Sequence, residues 1–393
     1  MGGIAMKLTT SAAAIALLFA VTGATADTVK IGFISTMSGP LGGTGNEASD
    51  GFKLFLDQND GKMGGAEVEM HWEDDQAKPD VSRQAADKLI SEDVDIFTGI
   101  IFSNVLLSSI KPILDSGAFY ISNNAAPSQI AGKLCDQNFF AVSHQNDQLY
   151  EGLGVYMQEM NFDNVYLMAP NYPAGKDMMA GFKRHFQGKI AGEVYTAFGQ
   201  LDYSAEIAQV RAAAPSTVVF FYPGGMGINF VKQYQQSGLM GEIPVYTGSH
   251  GIDQSILPAV GDAAIGVNSG AIWSEFGDNE ANRVFVEGFE KAYGRIPSPY
   301  AAMAYDTARV IDAALTEVGG SIEDRDAFRT ALETMDFSSI RGNFKFNTNH
   351  MPIMDYYMTV VEKDAQGRLV NALKSKVASD LEDGYVSECK ISG

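Results

Sequence analysis

The chain has 393 residues, 28 of them Lys or Arg and 48 Asp or Glu, for a formal net charge of −20 at pH 7. The positive residues are scattered without forming a run, so a phosphate backbone would be repelled and nucleic acid is excluded as a partner. At about 100–200 residues per domain, the length predicts two domains on one chain, each large enough to bury its own core.

The first segment, 1–26, reads as a secretory leader. Lys7 precedes an apolar run from Ala12 to Val21, and Ala24, Thr25 and Ala26 supply small residues before Asp27. That run is shorter than the ~20 residues that span a bilayer, and no later stretch qualifies as a transmembrane helix. An exported product is expected, periplasmic where the cell has an outer membrane.

From Val29 onward, short β-branched and aromatic runs alternate with segments of helical length, the pattern of βαβ units around a parallel sheet. Predicted strands cover 29–35, 66–73, 96–101, 118–122, 165–169, 193–196, 217–222, 244–247 and 266–272, with helices at 46–59, 79–92 and 150–160. Then the order changes: helices at 279–293, 300–318 and 325–334 precede a hairpin-like pair near 342–346 and 356–362. Such a return predicts lobes assembled from non-contiguous segments. The expected fold class is α/β, two doubly wound parallel-sheet lobes joined by a multi-strand hinge. Lobe 1 takes 27–144 plus 274–348, lobe 2 takes 145–273 plus 349–375, and 376–393 form a C-terminal tail. Chain crossings are expected at 142–147, 271–275 and 347–354.

Cys135 and Cys389 are the only cysteines, with no CxxC and no nearby His. In an oxidising compartment a disulfide tying down the tail is expected; two inert free thiols are the alternative.

Catalysis finds little support. Gly43-Thr44-Gly45-Asn46-Glu47-Ala48 fits G-x-G-x-x-A between a strand and a helix, which would suit an NAD(P)-dependent oxidoreductase. However, Ser38-Gly39-Pro40 intervenes, and the acids Glu73, Asp74 and Asp75 arrive roughly 30 residues on, where a dinucleotide fold places one at about 20. A loop shaping a cleft wall is the better reading. No G-x-S-x-G elbow occurs, and the histidines at 71, 144, 185, 250 and 350 lack metal-ligand spacing. The chain is therefore expected not to be an enzyme and to need no cofactor or metal.

Polar or aromatic residues recur immediately after strand ends: Ser38 and Thr44; Phe102-Ser103-Asn104; Asn123-Asn124-Ala125; Asn171-Tyr172; Tyr222-Pro223-Gly224-Gly225-Met226; Ser249-His250. Ligands of open parallel sheets settle outside the carboxyl ends of the strands, so two facing lobes would enclose a cleft.

The order of short motifs along the chain resembles the type I periplasmic solute-binding proteins of the leucine/isoleucine/valine-binding family, which feed ABC importers. The likeness runs from Ile31-Gly32 and Ser38-Gly39-Pro40-Leu41 through Ser49-Asp50-Gly51-Phe52, Ser103 and Ile121-Ser122-Asn123-Asn124-Ala125-Ala126. It continues to Tyr172-Pro173-Ala174-Gly175, Tyr305-Asp306-Thr307-Ala308, Gly342-Asn343-Phe344 and Asn349-His350. The resemblance implies a monomeric receptor that closes on a solute and presents it to a membrane permease. A sensor reporting to a receptor kinase would share the same fold.

By that likeness Ser103, Asn104 and the Asn124-Ala125 backbone hold the solute's carboxylate on lobe 1. Tyr172, Met226 and His250 close on it from lobe 2, and Phe102, Tyr222 and Trp273, with Gly225 in the loop, complete a flat apolar slot. Two departures stand out. Ala126 occupies the position of the family's threonine, and His250 stands where amino-acid receptors place an acid for the ammonium group, unless Asp253 substitutes. Tyr172-Pro173-Ala174-Gly175-Lys176-Asp177 and Asn349-His350-Met351-Pro352-Ile353 are similar to the subset that carries aromatic carboxylates. An aromatic acid of benzoate or cinnamate type is the expected ligand, with a branched-chain or other aliphatic amino acid as the alternative.

Overall fold

The structure, a computed structural model, describes residues 1–3 and 28–391. The leader reading falls on 1–26, so all but its first three residues lie outside the described residues.

The first unit runs β1 (Thr28–Ser35), α1 (Gly42–Gln58), β2 (Lys62–Met63), β3 (Ala66–Asp74), α2 (Pro79–Ser91), β4 (Ile96–Thr98), α3 (Ser103–Asp115), β5 (Phe119–Ser122), α4 (Ser128–Ala131) and β6 (Phe139–Ala141). Its six-stranded sheet has the order β2-β3-β1-β4-β5-β6 and is parallel apart from the short β2. Val29, Ile31, Phe33 and Ile34 of β1 are fully buried, as a strand covered by helices on both faces requires.

The second unit follows as α5 (Gln148–Glu159), β7 (Asn164–Pro170), α6 (Pro173–His185), β8 (Lys189–Thr196), α7 (Ser204–Ala213), β9 (Thr217–Phe220), α8 (Gly225–Gln236), β10 (Val245–Gly248), α9 (Leu257–Val260) and β11 (Asn268–Ala271). The chain then returns to the first sheet with α10 (Glu280–Tyr293), α11 (Pro299–Glu317) and α12 (Arg325–Thr334), before ending in β12 (Phe344–Phe346), β13 (Pro352–Lys363) and β14 (Leu369–Leu381). Helix α11 lies along α1, and Phe328 of α12 meets Phe119 of β5 edge to face at 5.0 Å. The second sheet has eight strands in the order β12-β13-β11-β10-β9-β7-β8, with β14 pairing β13. Two α/β lobes of non-contiguous segments are thus observed.

Three boundaries differ from the sequence reading. β12, assigned above to lobe 1, pairs antiparallel with β13 and belongs to the second sheet. The third passage between lobes is therefore 335–343 and not 347–354, although the latter loop is held against the first sheet by a 3.0 Å bond from Ala141 N to His350 O. The tail expected from 376 onward begins later, because β14 keeps its pairing with β13 to Leu381.

Beyond β14 the chain crosses back, and Cys389 is joined to Cys135 in the loop after α4. Tyr385 Oη donates to Asp147 Oδ2 at 2.8 Å, so the tail straps the first crossing. The glycine-rich loop after β1 does packing: a Cβ at Gly45 would lie 2.0 Å from the carbonyl oxygen of Thr36. Glu47 of the same stretch accepts from Arg295 Nε at 2.7 Å.

Candidate functional site

Where the two sheets' carboxyl ends face each other lies a small, tightly lined chamber. The first lobe contributes Ile101, Phe102 and Ser103, with Asn124 from the next strand end. The first crossing contributes His144 and Asn146, and the second lobe Tyr172, Ala174, Met178, Phe221, Pro223 and His250. Tyr300 comes from the start of α11.

Helix starts explain much of this lining. Phe102 is extended and its carbonyl accepts from Val105 and Leu106, so α3 opens at Ser103 with its first amides free of intrahelical partners. Pro173 and Pro299 occupy the first positions of α6 and α11, where a missing N–H costs nothing. Three helix N-termini converge on the chamber, and each dipole favours negative charge there by about 0.3–1 kcal/mol or somewhat more when buried.

The lobes are closed on each other. Phe102 packs edge to face on Phe198 at 5.3 Å and on Tyr172 at 6.5 Å. A Cβ at Gly225 would lie 2.8 Å from the Pro40 carbonyl oxygen of the opposite lobe. Asn146 Nδ2 donates to Ser103 Oγ at 3.0 Å and to Asp177 Oδ2 at 2.9 Å, and Asp177 also accepts from Ser128 N at 3.0 Å and Ser128 Oγ at 2.8 Å. This polar chain runs from the first lobe through the crossing to α6 and back. Burial pushes the Asp177 carboxyl above its usual range, opposed by the hydrogen bonds from Ser128 and Asn146.

Two imidazoles face one another with centroids 5.0 Å apart. His250 Nδ1 lies 3.3 Å from Ser249 Oγ, and its ring meets Tyr300 edge to face at 4.7 Å. Burial pushes His250 down to about 3 and His144 well below its usual value, the latter helped by His250 and Arg341, so both rings are neutral at physiological pH.

Of the residues named from sequence, Phe102, Ser103, Asn124, Tyr172 and His250 line the chamber and the others do not. Asn104 sits beside it, its Oδ1 buried without a partner. Ala125 turns its carbonyl to Ser122 Oγ at 2.7 Å. Tyr222 packs in the lobe's own core, 4.6 Å from Tyr203 and 5.1 Å from Phe230. Met226 is buried behind it, its sulfur accepting from Gly199 N. Gly225 abuts the Pro40 carbonyl of the opposite lobe. Trp273 donates to Asn282 Oδ1 at 2.7 Å and packs on Phe285, on the far side of the second crossing.

His144, Asn146, Phe221 and Tyr300 were not anticipated. The available signal was the crossing at 142–147, since a segment passing between lobes at the cleft floor can touch a ligand held by both.

Among the described residues no Asp, Glu, Lys or Arg lines the chamber. Asp253 does not reach it; its Oδ1 accepts from both Ser255 N and Ser255 Oγ. Burial pushes Asp253 up to about 7, so at neutral pH its carboxyl is only partly ionised. The folded protein keeps a proton there that the unfolded chain, with an ordinary value of 3.8, gives up. Its contribution to stability is full below about pH 4 and is lost as pH rises towards about 7. Asp253→Asn keeps an acceptor for Ser255 and is expected to raise the melting temperature at about pH 8, with little change near pH 4. Thermal melts across that range check this, and equal shifts at both ends would show that no proton is held there.

A closed chamber between two α/β lobes, fed by crossings at its floor, defines a solute receptor of the type I periplasmic binding fold. The chain belongs to the periplasmic binding protein family, whose model matches residues 28–366. Among curated relatives it is 27% identical to Leu/Ile/Val-binding protein homolog 6 of Brucella melitensis biotype 1, over 90% of this chain and 92% of that one. Among solved structures it is similar to an ABC transporter solute-binding protein of R. palustris in complex with benzoate, with TM-score 0.87 and 27% identity over 93% of this chain and 100% of that one. A solute-binding protein of Rhodopseudomonas palustris BisB5 in complex with 3,4-dihydroxy benzoic acid gives TM-score 0.85 and 26% identity over 91% and 99%. The family and these neighbours are binding proteins, not enzymes.

Proposed function

We propose that this protein captures an aromatic carboxylate of benzoate or cinnamate type outside the cytoplasm, as a monomer, and delivers it to an ABC importer. The observation that carries this is the lining: the rings of Phe102, Tyr172, Phe221 and Tyr300 surround a chamber with no carboxylate to meet an ammonium group. Ser103 and the first amides of α3 are the seat for the ligand's carboxylate, where a helix N-terminus receives an anion without a cationic side chain. The aromatic-acid complexes of the two R. palustris neighbours support the same reading. Export rests on the family and on the leader read at 1–26. No helix among the described residues is long and apolar enough to cross a membrane.

The name of the Brucella relative favours a second reading, a branched-chain amino-acid receptor. A thermal-shift panel of benzoates, cinnamates and aliphatic amino acids separates the two. At a concentration about 100 times its Kd, a true ligand adds about 2.7 kcal/mol of stability and raises the melting temperature. Stabilisation by leucine or valine and by no aromatic acid would rule out the proposal.

A further inference from the structure

His144 and His250 come from different parts of the chain, the first crossing and the loop after β10, and both line the chamber. They are 2% and 3% exposed. His144 Nδ1 and His250 Nε2 are both buried with no hydrogen-bond partner in the protein. A single unpaired buried nitrogen costs about 1–3 kcal/mol, so two on facing rings of one small chamber point to a group that arrives with the ligand.

The chemistry of that group follows from the rings. A neutral imidazole donates from one nitrogen and accepts at the other, so two of them can offer one donor and one acceptor to the same atom. A hydroxyl matches this pair, donating to one ring while accepting from the other. A second carboxylate can only accept, and it would add negative charge where no Lys or Arg lines the wall. An amine finds no anion. Burial keeps both rings neutral, which agrees with a neutral partner. The tilted approach of the rings is held by the edge contact of His250 on Tyr300 at 4.7 Å.

We infer that His144 and His250 together form a subsite for a ring hydroxyl, so that the solute is a hydroxylated aromatic acid. This rests on the aromatic reading above and narrows it. The test is calorimetric titration of the wild-type protein with benzoate, meta-hydroxybenzoate, para-hydroxybenzoate and leucine, repeated on H144F and H250F. At least one hydroxybenzoate is expected to bind roughly tenfold or more tighter than benzoate, as two buried hydrogen bonds imply. In either variant that preference should shrink to about twofold or less, and a preference that survives in both folded variants would overturn the hydroxyl subsite. Should the variants fail to fold, the wild-type comparison decides alone. Benzoate bound as tightly as both hydroxybenzoates would overturn the hydroxyl subsite and leave the aromatic reading standing. Leucine bound in preference to all three acids would overturn both.

Discussion

Arg341→Met is expected to destabilise the protein by about 3–5 kcal/mol, the cost of leaving one partner of a buried ion pair alone. The Arg341 side chain is 1% exposed and Asp306 is fully buried, with Nε to Oδ2 at 3.1 Å. Its guanidinium also donates to the carbonyl of Ser143 at 2.8 Å and to that of Val142, and it lies over the Phe344 ring at 4.4 Å. One side chain therefore joins α11, the third crossing and the first crossing. Without it, Asp306 keeps only Ser339 Oγ at 2.6 Å and Ile340 N at 3.1 Å, and two crossing carbonyls lose their donor. Adding Asp306→Asn should restore a large part of the loss, because the stranded charge is then gone. Urea unfolding of both single variants and the double variant measures this, and additive losses would contradict it. Since His144 follows Ser143 directly, solute affinity should fall as well.

Reduction of the Cys135–Cys389 bond, or Cys389→Ser, is expected to cost about 2–5 kcal/mol, because the bond closes a loop spanning 254 residues in sequence. The tail is held by more than sulfur. Asn349 Nδ2 donates to both oxygens of Asp383 at 3.1 Å, and Tyr385 reaches Asp147. Native contacts should therefore survive reduction while the unfolded chain gains freedom, so the effect belongs in the equilibrium constant and not in the folded shape. Unfolding with and without reductant measures it; identical midpoints would mean that the strap adds nothing.

The alternation of strands and helices was legible wherever strands are buried on both faces. Runs such as 29–35 and 217–220 have little choice but to sit inside a parallel sheet. β14 was not legible, because its middle residues, 373–376, are exposed and its stability comes from pairing with β13. The misplacement of β12 has the same cause: two half-buried phenylalanines flanking an exposed lysine take their lobe from a partner strand, which no local pattern records.

Residues after strand ends line much of the chamber, and facing decides which of them do. Phe221 lines the chamber while Tyr222, one residue on, points into the core, because neighbours on extended backbone face opposite ways. Ser103 and His250, read from their positions after strand ends, both line the chamber. His144 was set aside for want of metal-ligand spacing, a criterion that does not test for a hydrogen-bonding ring.

Every residue lining the chamber is buried in the closed form. A solute inside has no route to water until the lobes part, so its escape can be no faster than the opening motion itself. Improving a contact with the solute then lengthens its dwell only by making opening rarer. A membrane partner that spreads the lobes would empty weak and strong occupants alike, so affinity decides which solute is aboard at docking and not how fast it leaves afterwards.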